Sequence, residues 1–370
     1  MEKEQIIRAR LASQQVMDTA FTKAADLVGW LGCIQAQDFA GAKWAIGSRL
    51  KGGGEITDTG IEQEFREGKI IRTHILRPTW HFVTPADIRW IMALTADRVK
   101  AFCAGSYRNL ELDKEVLKRS NATLKKALKG GRQLMRKELA SVLQRAGIRT
   151  DDIRLSHLLM WAELDGVICS GGLNGKQFTY ALMEEWVPEG RVMAREEALA
   201  ELALRYFRSR GPATPADFAW WSGLTIADAK AGIEGNRSQY EKIEMGGRTY
   251  VYAAKTGDFA GKADAVVPGE DVVTGGSGLF VLPAYDEYTV AYTDRELILH
   301  PKHAERGGNG IFKPVIIRDG QVVGTWQREI KKDGIVIKTD LFRPVGKRMI
   351  KAAFARYGAF MGKEVIVDAR

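Results

Sequence analysis

Two glutamines separated by one alanine, Gln35 and Gln37, are the side chains of this 370-residue chain best suited to chemistry. They follow a predicted helix, at the point where its row of buried apolar residues ends. If the backbone there is extended, residues two apart project to the same side, and the two amides face one point. A pair of neutral amides can orient a water molecule and stabilise developing charge, but it cannot accept a proton from that water. The spacing therefore favours a reaction whose leaving group is already good.

The helix that must position the glutamines is predicted from its apolar period, i, i+3, i+4, i+7 and i+10. Its buried face consists of Ala24, Leu27, Val28, Leu31 and Ile34. The glutamine side chains could instead bond the exposed carbonyl groups at the end of this helix, which would be a structural role. Asp38 also has two interpretations. It could add a negative field or accept the proton of the water, or it could be the N-cap of a helix starting near Phe39.

Positive charge is concentrated in one segment of the chain. Residues 114–149 contain eleven basic and two acidic residues, a net charge of +9 that equals that of the whole chain. A solvated helix face is the ordinary explanation of a charge run, but pairing at i,i+4 does not account for this excess of one sign. A polyanion such as the phosphates of nucleic acid is the natural partner. The predicted phosphate contacts are Lys125, Lys126, Lys129, Arg132, Arg136 and Lys137.

The composition narrows the class of protein. A content of 45% apolar and 27% charged residues is typical of a soluble globular protein. No apolar run of about 18 residues predicts a membrane span, and the N-terminus lacks the apolar core of a signal peptide. Three widely spaced cysteines among apolar neighbours indicate a reduced, cytoplasmic protein.

The sequence motifs predict neither a metal nor a cofactor. The sequence contains no Gly-rich phosphate loop, no Cys-x-x-Cys and no His-Glu-x-x-His pattern. His300 and His303 lie three residues apart without an evident third ligand, so we interpret them as a surface pair.

Three stretches of the chain share a plan of helices followed by two short strands and a tight turn, which predicts three winged-helix domains in tandem. The predicted strand pairs are 70–76 with 79–83, 167–169 with 178–180, and 241–244 with 249–252. Residues 214–232 also have the pattern of a helix-turn-helix.

From about residue 260 onward, Gly-rich loops, strand patterns and two Asp-Gly turns predict a β-rich module. Its length of roughly 85 residues before a closing helix near 345–358 fits a small β-barrel. The predicted fold class is therefore α+β, with three tandem winged-helix domains and a C-terminal β-barrel-like domain. The predicted domains are 1–105, 106–190, 191–258 and 259–370.

Several segments, in a fixed order along most of the chain, resemble the AlkZ-like DNA glycosylases of the tandem winged-helix superfamily. The matching segments are Leu27-Val28-Gly29, Ile34-Gln35-Ala36-Gln37-Asp38, residues 72–83, residues 282–288, Tyr292-Thr293-Asp294-Arg295 and residues 319–326. The resemblance implies three winged helices and a β-barrel that form a basic, C-shaped DNA-binding cradle. The two glutamines of the family motif, Gln–apolar–Gln, fall on Gln35 and Gln37. Pro78 and Trp80 depart from the residues expected of the family at those places.

The resemblance implies removal of alkylated purines from DNA, and some family members act on interstrand crosslinks. Alkylation at guanine N7 or adenine N3 makes the base cationic, so that it departs neutral. The enzyme then has only to stabilise an oxocarbenium-like sugar and to place a water beside it. We therefore expect Gln35, Gln37 and Asp38 to be the catalytic residues. No lysine stands out as a Schiff-base nucleophile, so we expect a monofunctional enzyme.

The expected partner is double-stranded DNA that contains alkylated purines, bound by a monomer in the bacterial cytosol. The alternative is a non-catalytic DNA-binding protein, a regulator or a lesion sensor, since winged helices often serve that role.

Further DNA contacts are predicted on two hairpins. Arg72, Arg77 and His81 lie on the first hairpin beside the glutamines, although Arg72 and His81 could be ordinary exposed strand positions. Leu173 and Asn174 on the second hairpin could wedge into a minor groove, or could form a solvent-exposed tip.

Asp286 and Glu287 are adjacent carboxylates. On a strand they would point to opposite faces, which makes them a poor acid–base pair. We expect them to form salt bridges with a basic helix or to close the barrel against a winged helix.

Overall fold

The first repeat contains the two glutamines. The predicted apolar stripe is buried, but its last residue, Ile34, lies in a strand and not in the helix. The computed structural model describes residues 3–17, 19–151, 153–254 and 278–369. Gly32, at φ 72°, ends the helix that carries the stripe, because a left-handed backbone is accessible to glycine. The elements of this repeat are α1 (Lys3–Ser13), α2 (Ala24–Leu31), β1 (Ile34–Gln35), α3 (Phe39–Gly47), α4 (Asp58–Arg66), β2 (Ile71–His74) and β3 (Trp80–Val83). The strands form an antiparallel sheet of order β1-β3-β2.

The second repeat follows two connecting helices and has the same plan. The elements are α5 (Ile88–Phe102), α6 (Ala104–Asn109), α7 (Lys114–Leu128), β4 (Leu134–Met135), α8 (Arg136–Arg145), α9 (Arg154–Leu164), β5 (Ile168–Asn174) and β6 (Gln177–Leu182). Its sheet has the order β4-β6-β5, which corresponds strand for strand to that of the first repeat.

The second hairpin corrects one detail of the sequence prediction. The chain between the predicted strands 167–169 and 178–180 is mostly strand, and only Gly175 and Lys176 form the turn. The Gly171–Gly172 pair lies in an irregularity of the pairing between Ser170 and Leu173, so β5 continues through it as a bulged strand.

The third repeat is built on local signals that the sequence shows clearly. Its elements, with the connecting helix first, are α10 (Met183–Trp186), α11 (Arg195–Arg210), α12 (Pro215–Ser222), α13 (Ile226–Gly235), β7 (Tyr240–Met245) and β8 (Arg248–Ala253). Thr214 and Thr225 cap α12 and α13 through reciprocal bonds with Asp217 and Asp228. An isolated bridge between Ala213 and Val251 takes the place of the first strand, so the order matches the other two repeats.

The C-terminal module is an open sheet in the described residues, and the predicted β-barrel is therefore wrong there. Its elements are β9 (Leu279–Leu282), α14 (Glu287–Val290), β10 (Val315–Arg318), β11 (Gln321–Ile330), β12 (Ile335–Leu341), α15 (Lys347–Met361) and β13 (Val365–Ala369). The strand order is β13-β12-β11-β10-β9. Because α15 returns the chain along the sheet, β13 adds parallel to β12 at the edge far from β9. The predicted domain boundary at 258–259 lies outside the described residues.

The first sheet is packed on both faces, which determines how the glutamines are held. Ile34 and Phe82 belong to a core shared with the C-terminal module, where α15 also packs. Cys33, Ile71 and Val83 belong to a core shared with the second and third repeats. Among the described helices, none is both long enough and apolar enough to cross a membrane.

Candidate active site

The glutamine triplet lies at the edge of the first sheet. Gln35 in β1 pairs with His81 in β3, and the Ala36 N–H donates to the Trp80 carbonyl at 2.7 Å. The backbone is therefore extended at Ile34 and Gln35, but β1 ends there and the chain bends at Gln37 and Asp38. That both amides face one point stays a prediction. The Gln35 side chain is 7% exposed, whereas that of Gln37 is exposed. The Gln37 N–H donates to Gln35 Oε1 at 3.3 Å, so one glutamine side chain holds the backbone of the other.

Arginines of α11, rather than the glutamines, bond the carbonyl groups at the end of α2. Arg210 donates from Nη1 to the Leu31 carbonyl at 2.7 Å and from Nη2 to the Cys33 carbonyl at 2.8 Å. Arg205 Nη1 donates to the Gly29 carbonyl at 3.4 Å. The structural role considered for the glutamines, bonding the carbonyl groups at the end of α2, is therefore performed by these arginines.

Asp38 is the N-cap of α3. Its Oδ1 accepts the Gly41 N–H at 3.1 Å, and the carboxylate is partly buried at the start of the helix. The capping interpretation is therefore confirmed, and it places a negative charge directly after Gln37.

Arg72 connects the triplet to the second repeat. Its Nε donates to the Ala36 carbonyl at 3.0 Å, and its guanidinium lies 4.3 Å from the centre of the Trp80 ring and 4.7 Å from that of Phe178. Arg72 is 8% exposed, and burial lowers its pKa to about 10. Its backbone N–H also donates to Ser170 Oγ at 2.8 Å, which joins β2 to β5.

An open cleft of about 690 Å³ lies between the first hairpin and the second repeat. Four cationic side chains and three aromatic rings lie along it. The lining residues are Arg72, Trp80, Arg136, Lys137, Leu155, Lys176, Gln177, Phe178 and Tyr180. Such a lining suits an anionic, partly planar ligand, for which nucleic-acid phosphates and bases are the common example.

The cleft brings together Arg72, Arg136 and Lys137, three of the predicted DNA contacts. The aromatic side chains were missed as site residues. Trp80 drew attention in the sequence only as a departure from the family pattern. Phe178 and Tyr180 are two apart on β6 and therefore face one side, a signal that the sequence does contain.

The other predicted phosphate contacts of the second repeat lie at the surface. Lys125, Lys126, Lys129 and Arg132 are all exposed on or just after α7. Lys125 Nζ contacts Glu184 Oε2 at 2.8 Å, and Arg132 donates to the Lys129 and Lys126 carbonyls.

The position of His81 does not fit the predicted contact with DNA. The imidazole has no exposed surface, because β3 is the central strand of a sheet that is covered on both faces. Its Nδ1 donates to the Thr79 carbonyl at 2.9 Å. Burial, with the charge of Arg77, lowers the pKa of His81 well below its usual value, so the ring is neutral. Arg77 is itself partly buried, and burial lowers its pKa; its guanidinium lies 5.9 Å from the Trp220 ring.

The second hairpin is held against the first repeat. Arg66 of α4 donates from Nη1 to the Leu173 carbonyl and from Nη2 to the Gly175 carbonyl, each at 2.8 Å. Leu173 is half-buried and Asn174 is exposed beside the turn. Their insertion into a minor groove stays a prediction.

The salt bridges predicted for Asp286 and Glu287 are confirmed, although on a different backbone from the strand that was considered. Asp286 caps the short helix α14, and Glu287 is its first residue. Asp286 pairs with Arg49 and Glu287 with Arg210, and both pairs are at most 1% exposed.

His300 and His303 have ring centres 6.1 Å apart. Within the part of the chain that the structure describes, no three His, Cys, Asp or Glu side chains form a group that could hold a metal ion.

Comparisons with known proteins point to one family. The family model described as "DNA glycosylase AlkZ-like" matches residues 28–362. A relative from Streptomyces sahachiroi, the "Interstrand DNA cross-link repair glycosylase", is 23% identical over 349 residues, which cover 87% of each chain. The solved structure of a Streptomyces sahachiroi DNA glycosylase, AlkZ, has a TM-score of 0.78 at 20% identity, with both chains covered completely.

Proposed function

Because this chain belongs to the AlkZ-like DNA glycosylase family, we propose that it hydrolyses the N-glycosidic bond of cationic N-alkylated purines in double-stranded DNA. N7-alkylguanine and N3-alkyladenine are the expected substrates, and the enzyme is expected to be monofunctional. The relative from Streptomyces sahachiroi is named for interstrand cross-link repair. We therefore include purines that carry a crosslink among the candidate substrates.

The proposed mechanism uses neutral amides because the leaving group needs no acid. An N7- or N3-alkylated purine carries a positive charge and departs as a neutral base. Developing charge then accumulates on the sugar, where Gln35 and Gln37 oppose it with their carbonyl dipoles and orient the attacking water. As the new C–O bond forms, this water loses a proton to the surrounding solvent. Asp38 is fixed as a helix cap one residue away, so its carboxylate contributes a negative field beside the oxocarbenium-like sugar.

The observation that carries this proposal is that arginines, and not the glutamines, bond the carbonyl groups at the end of α2. Arg210 and Arg205 occupy the carbonyl groups that the glutamine amides would otherwise cap. Gln37 is exposed, and Arg72 links the Ala36 carbonyl directly to a basic cleft. An exposed amide that does not cap α2, next to a residue bonded to this cleft, supports a role in ligand binding.

The basic cleft has the wrong sign for a cationic base. Arg72, Arg136, Lys137 and Lys176 would repel an alkylated purine and attract the phosphates beside it. We therefore assign the DNA backbone to the cleft and the damaged nucleotide to the glutamines. Such contacts position the protein on DNA without specifying sequence.

We further propose that the three repeats are winged-helix domains within limits near 1–105, 106–190 and 191–258. Each has the order of helix, strand, two helices and hairpin. In this proposal the second repeat provides most of the phosphate contacts of a C-shaped cradle.

The experiment that tests the function is base release from a duplex containing 7-methylguanine, under single-turnover conditions with excess enzyme. Gln37→Ala is expected to lower the rate by about 100-fold or more while DNA affinity is retained. Gln63→Ala is the matched control, because Gln63 is an exposed glutamine on α4 that bonds Glu67. Equal rates in all three proteins would remove the glutamine pair from the mechanism. Tight, salt-dependent binding without base release would favour the non-catalytic alternative.

A further inference from the structure

We propose that Glu287 of the C-terminal module and Arg210 of the third repeat are positioning residues for the Gln35–Gln37 pair. The proposal rests on the function given above for the glutamines. In this proposal, two segments that are distant in sequence fix the backbone of the triplet and thereby orient both side-chain amides.

The Gln35 N–H needs an acceptor outside its own sheet. Strand β1 is an edge strand, and since the Ala36 N–H donates to Trp80, the neighbouring Gln35 N–H points away from β3. Glu287 Oε1 accepts it at 2.9 Å. The contact spans 252 residues of sequence and is fully inside the protein.

The second oxygen of Glu287 ties the same carboxylate to the third repeat. Glu287 Oε2 accepts from Arg210 Nε at 3.0 Å, from Arg210 Nη2 at 2.7 Å and from Trp221 Nε1 at 3.0 Å. Arg210 in turn donates to the Leu31 and Cys33 carbonyls and lies 4.4 Å from the centre of the Trp221 ring. One ion pair therefore fixes two carbonyl groups before the triplet and the N–H of its first residue.

This arrangement requires a carboxylate at position 287. Both oxygens act as acceptors, one for Gln35 and one for Arg210 and Trp221. A glutamine at 287 would turn its NH₂ group towards one of these sets of donors, whichever way the amide is oriented. Either the Gln35 N–H or the guanidinium would then lose its acceptor inside the protein.

The adjacent residue provides a matched control. Asp286 is as buried as Glu287 and also accepts from an arginine with both oxygens, at 2.8 and 2.6 Å. Its partner Arg49 donates to the Ala45 and Gln14 carbonyls, away from the triplet. The two pairs thus share burial and chemistry, but only Glu287 bonds the triplet. Asp286 Oδ1 also accepts the Tyr288 N–H at 2.9 Å as the cap of α14, a bond that the side-chain oxygen of an asparagine can keep.

The experiment compares Glu287→Gln with Asp286→Asn in the full chain, at a temperature below the melting transition of both. Both variants are expected to have a lower Tm. Only Glu287→Gln should accelerate hydrogen–deuterium exchange in residues 32–38, by about tenfold. Only Glu287→Gln should lower the single-turnover release of 7-methylguanine, by about 100-fold, with the Kd for DNA within about twofold of the wild type.

A second variant keeps the test decisive if Glu287→Gln does not fold. Glu287→Asp retains the charge opposite Arg210 but is one methylene too short to reach both Arg210 and the Gln35 N–H. It should keep a Tm closer to the wild type, accelerate exchange in residues 32–38, and lower the release rate by about tenfold.

Equal rate losses in the Asp286 and Glu287 variants would overturn the positioning role, and so would faster exchange with an unchanged rate. If the wild type itself releases no base, the proposed function fails. The exchange comparison still measures whether Glu287 anchors the triplet.

Discussion

The second and third repeats have the same order of helices and strands, yet they use their positive charges in opposite ways. In the second repeat Lys126, Lys129 and Arg132 extend into solvent. In the third repeat Arg205, Arg208 and Arg210 of α11 are at most 8% exposed and face the first repeat. Residues 114–149 carry a net charge of +9, whereas residues 195–253 contain eight basic and eight acidic residues.

The difference shows that topology alone does not decide what a repeat does. Exposed lysines attract a ligand from solvent, and their contribution to folding is small. Buried arginines with several acceptors each organise the backbone of a neighbouring repeat. Arg205 illustrates this, since it pairs with Asp87 and Glu201 and also bonds the Gly29 carbonyl. In our proposal, one repeat presents the surface for DNA, and the other holds the candidate active site in place.

The strongest test of this division removes one cation from each repeat. Arg210→Gln breaks a buried ion pair and leaves Glu287 uncompensated, so we expect the free energy of unfolding to fall by about 3–5 kcal/mol. Arg132→Gln changes an exposed residue and should alter it by less than about 0.5 kcal/mol. Urea denaturation followed by circular dichroism measures both. Similar losses in the two variants would contradict the division.

The second test concerns DNA affinity. Replacing Lys126, Lys129 and Arg132 together by glutamine should reduce the slope of log K against log salt concentration by about 2.7, if each contacts one phosphate. Affinity at low salt should fall by about tenfold or more, with Tm nearly unchanged. The matched control replaces Lys230, Arg237 and Lys242, three exposed cations of the third repeat. Fluorescence anisotropy across a salt series gives both slopes, and equal slope changes would argue against a special role of the second repeat.

Much of the fold was predictable because its signals are local. The capping threonines of α12 and α13, the three hairpins and the Asp-Gly turns at 319–320 and 333–334 all depend on neighbouring residues. The open sheet of the C-terminal module was not predictable, because the parallel pairing of β12 with β13 depends on the course of α15 between them. Local strand patterns do not contain that information.

The candidate site was predictable only in part, for a related reason. Gln35, Gln37 and the capping role of Asp38 follow from adjacent sequence. The interior position of His81 does not, because a polar residue in an alternating strand resembles an exposed one. Its burial results from packing of both sheet faces by distant segments. Arg210 was missed altogether, since an Arg-Ser-Arg run at the end of a helix resembles a solvated terminus.

A third test measures how burial of His81 beside positive charges makes the stability of the protein depend on pH. Burial, then the charges of Arg77, His74 and Arg210, lower its pKa, with the Thr79 carbonyl opposing them. The unfolded ring protonates as pH falls below about 6.5, whereas the folded ring stays neutral. The stability contributed by His81 is therefore full above that pH and is lost as pH falls, by an amount on the order of 1 kcal/mol at pH 5.5.

We expect His81→Gln to remove this part of the pH dependence. Urea denaturation of both proteins at pH 8 and pH 5.5 measures it, with the pH 8 values correcting for the substitution itself. The same loss between the two pH values in both proteins would show that the ring titrates normally in the folded state.

The smallest expected effect concerns Lys125 of the second repeat and Glu184 of the connecting helix α10. Glu184 holds Lys125 in an exposed ion pair, with both side chains more than half exposed. A carboxylate in that position competes with phosphate for the lysine, so Glu184→Gln should strengthen DNA binding by about two- to threefold at low salt. The free energy of unfolding should change by less than about 0.5 kcal/mol, as is usual for exposed pairs.

The equivalent change in the third repeat is Glu234→Gln, which removes the exposed partner of Arg237. If exposed cations of the third repeat do not contact DNA, this variant should bind DNA with unchanged affinity. An increase of the same size in both variants would mean that any freed surface charge attracts the duplex. The concentration of DNA binding on the second repeat would then reflect net charge alone, rather than the position of Lys125 and its neighbours.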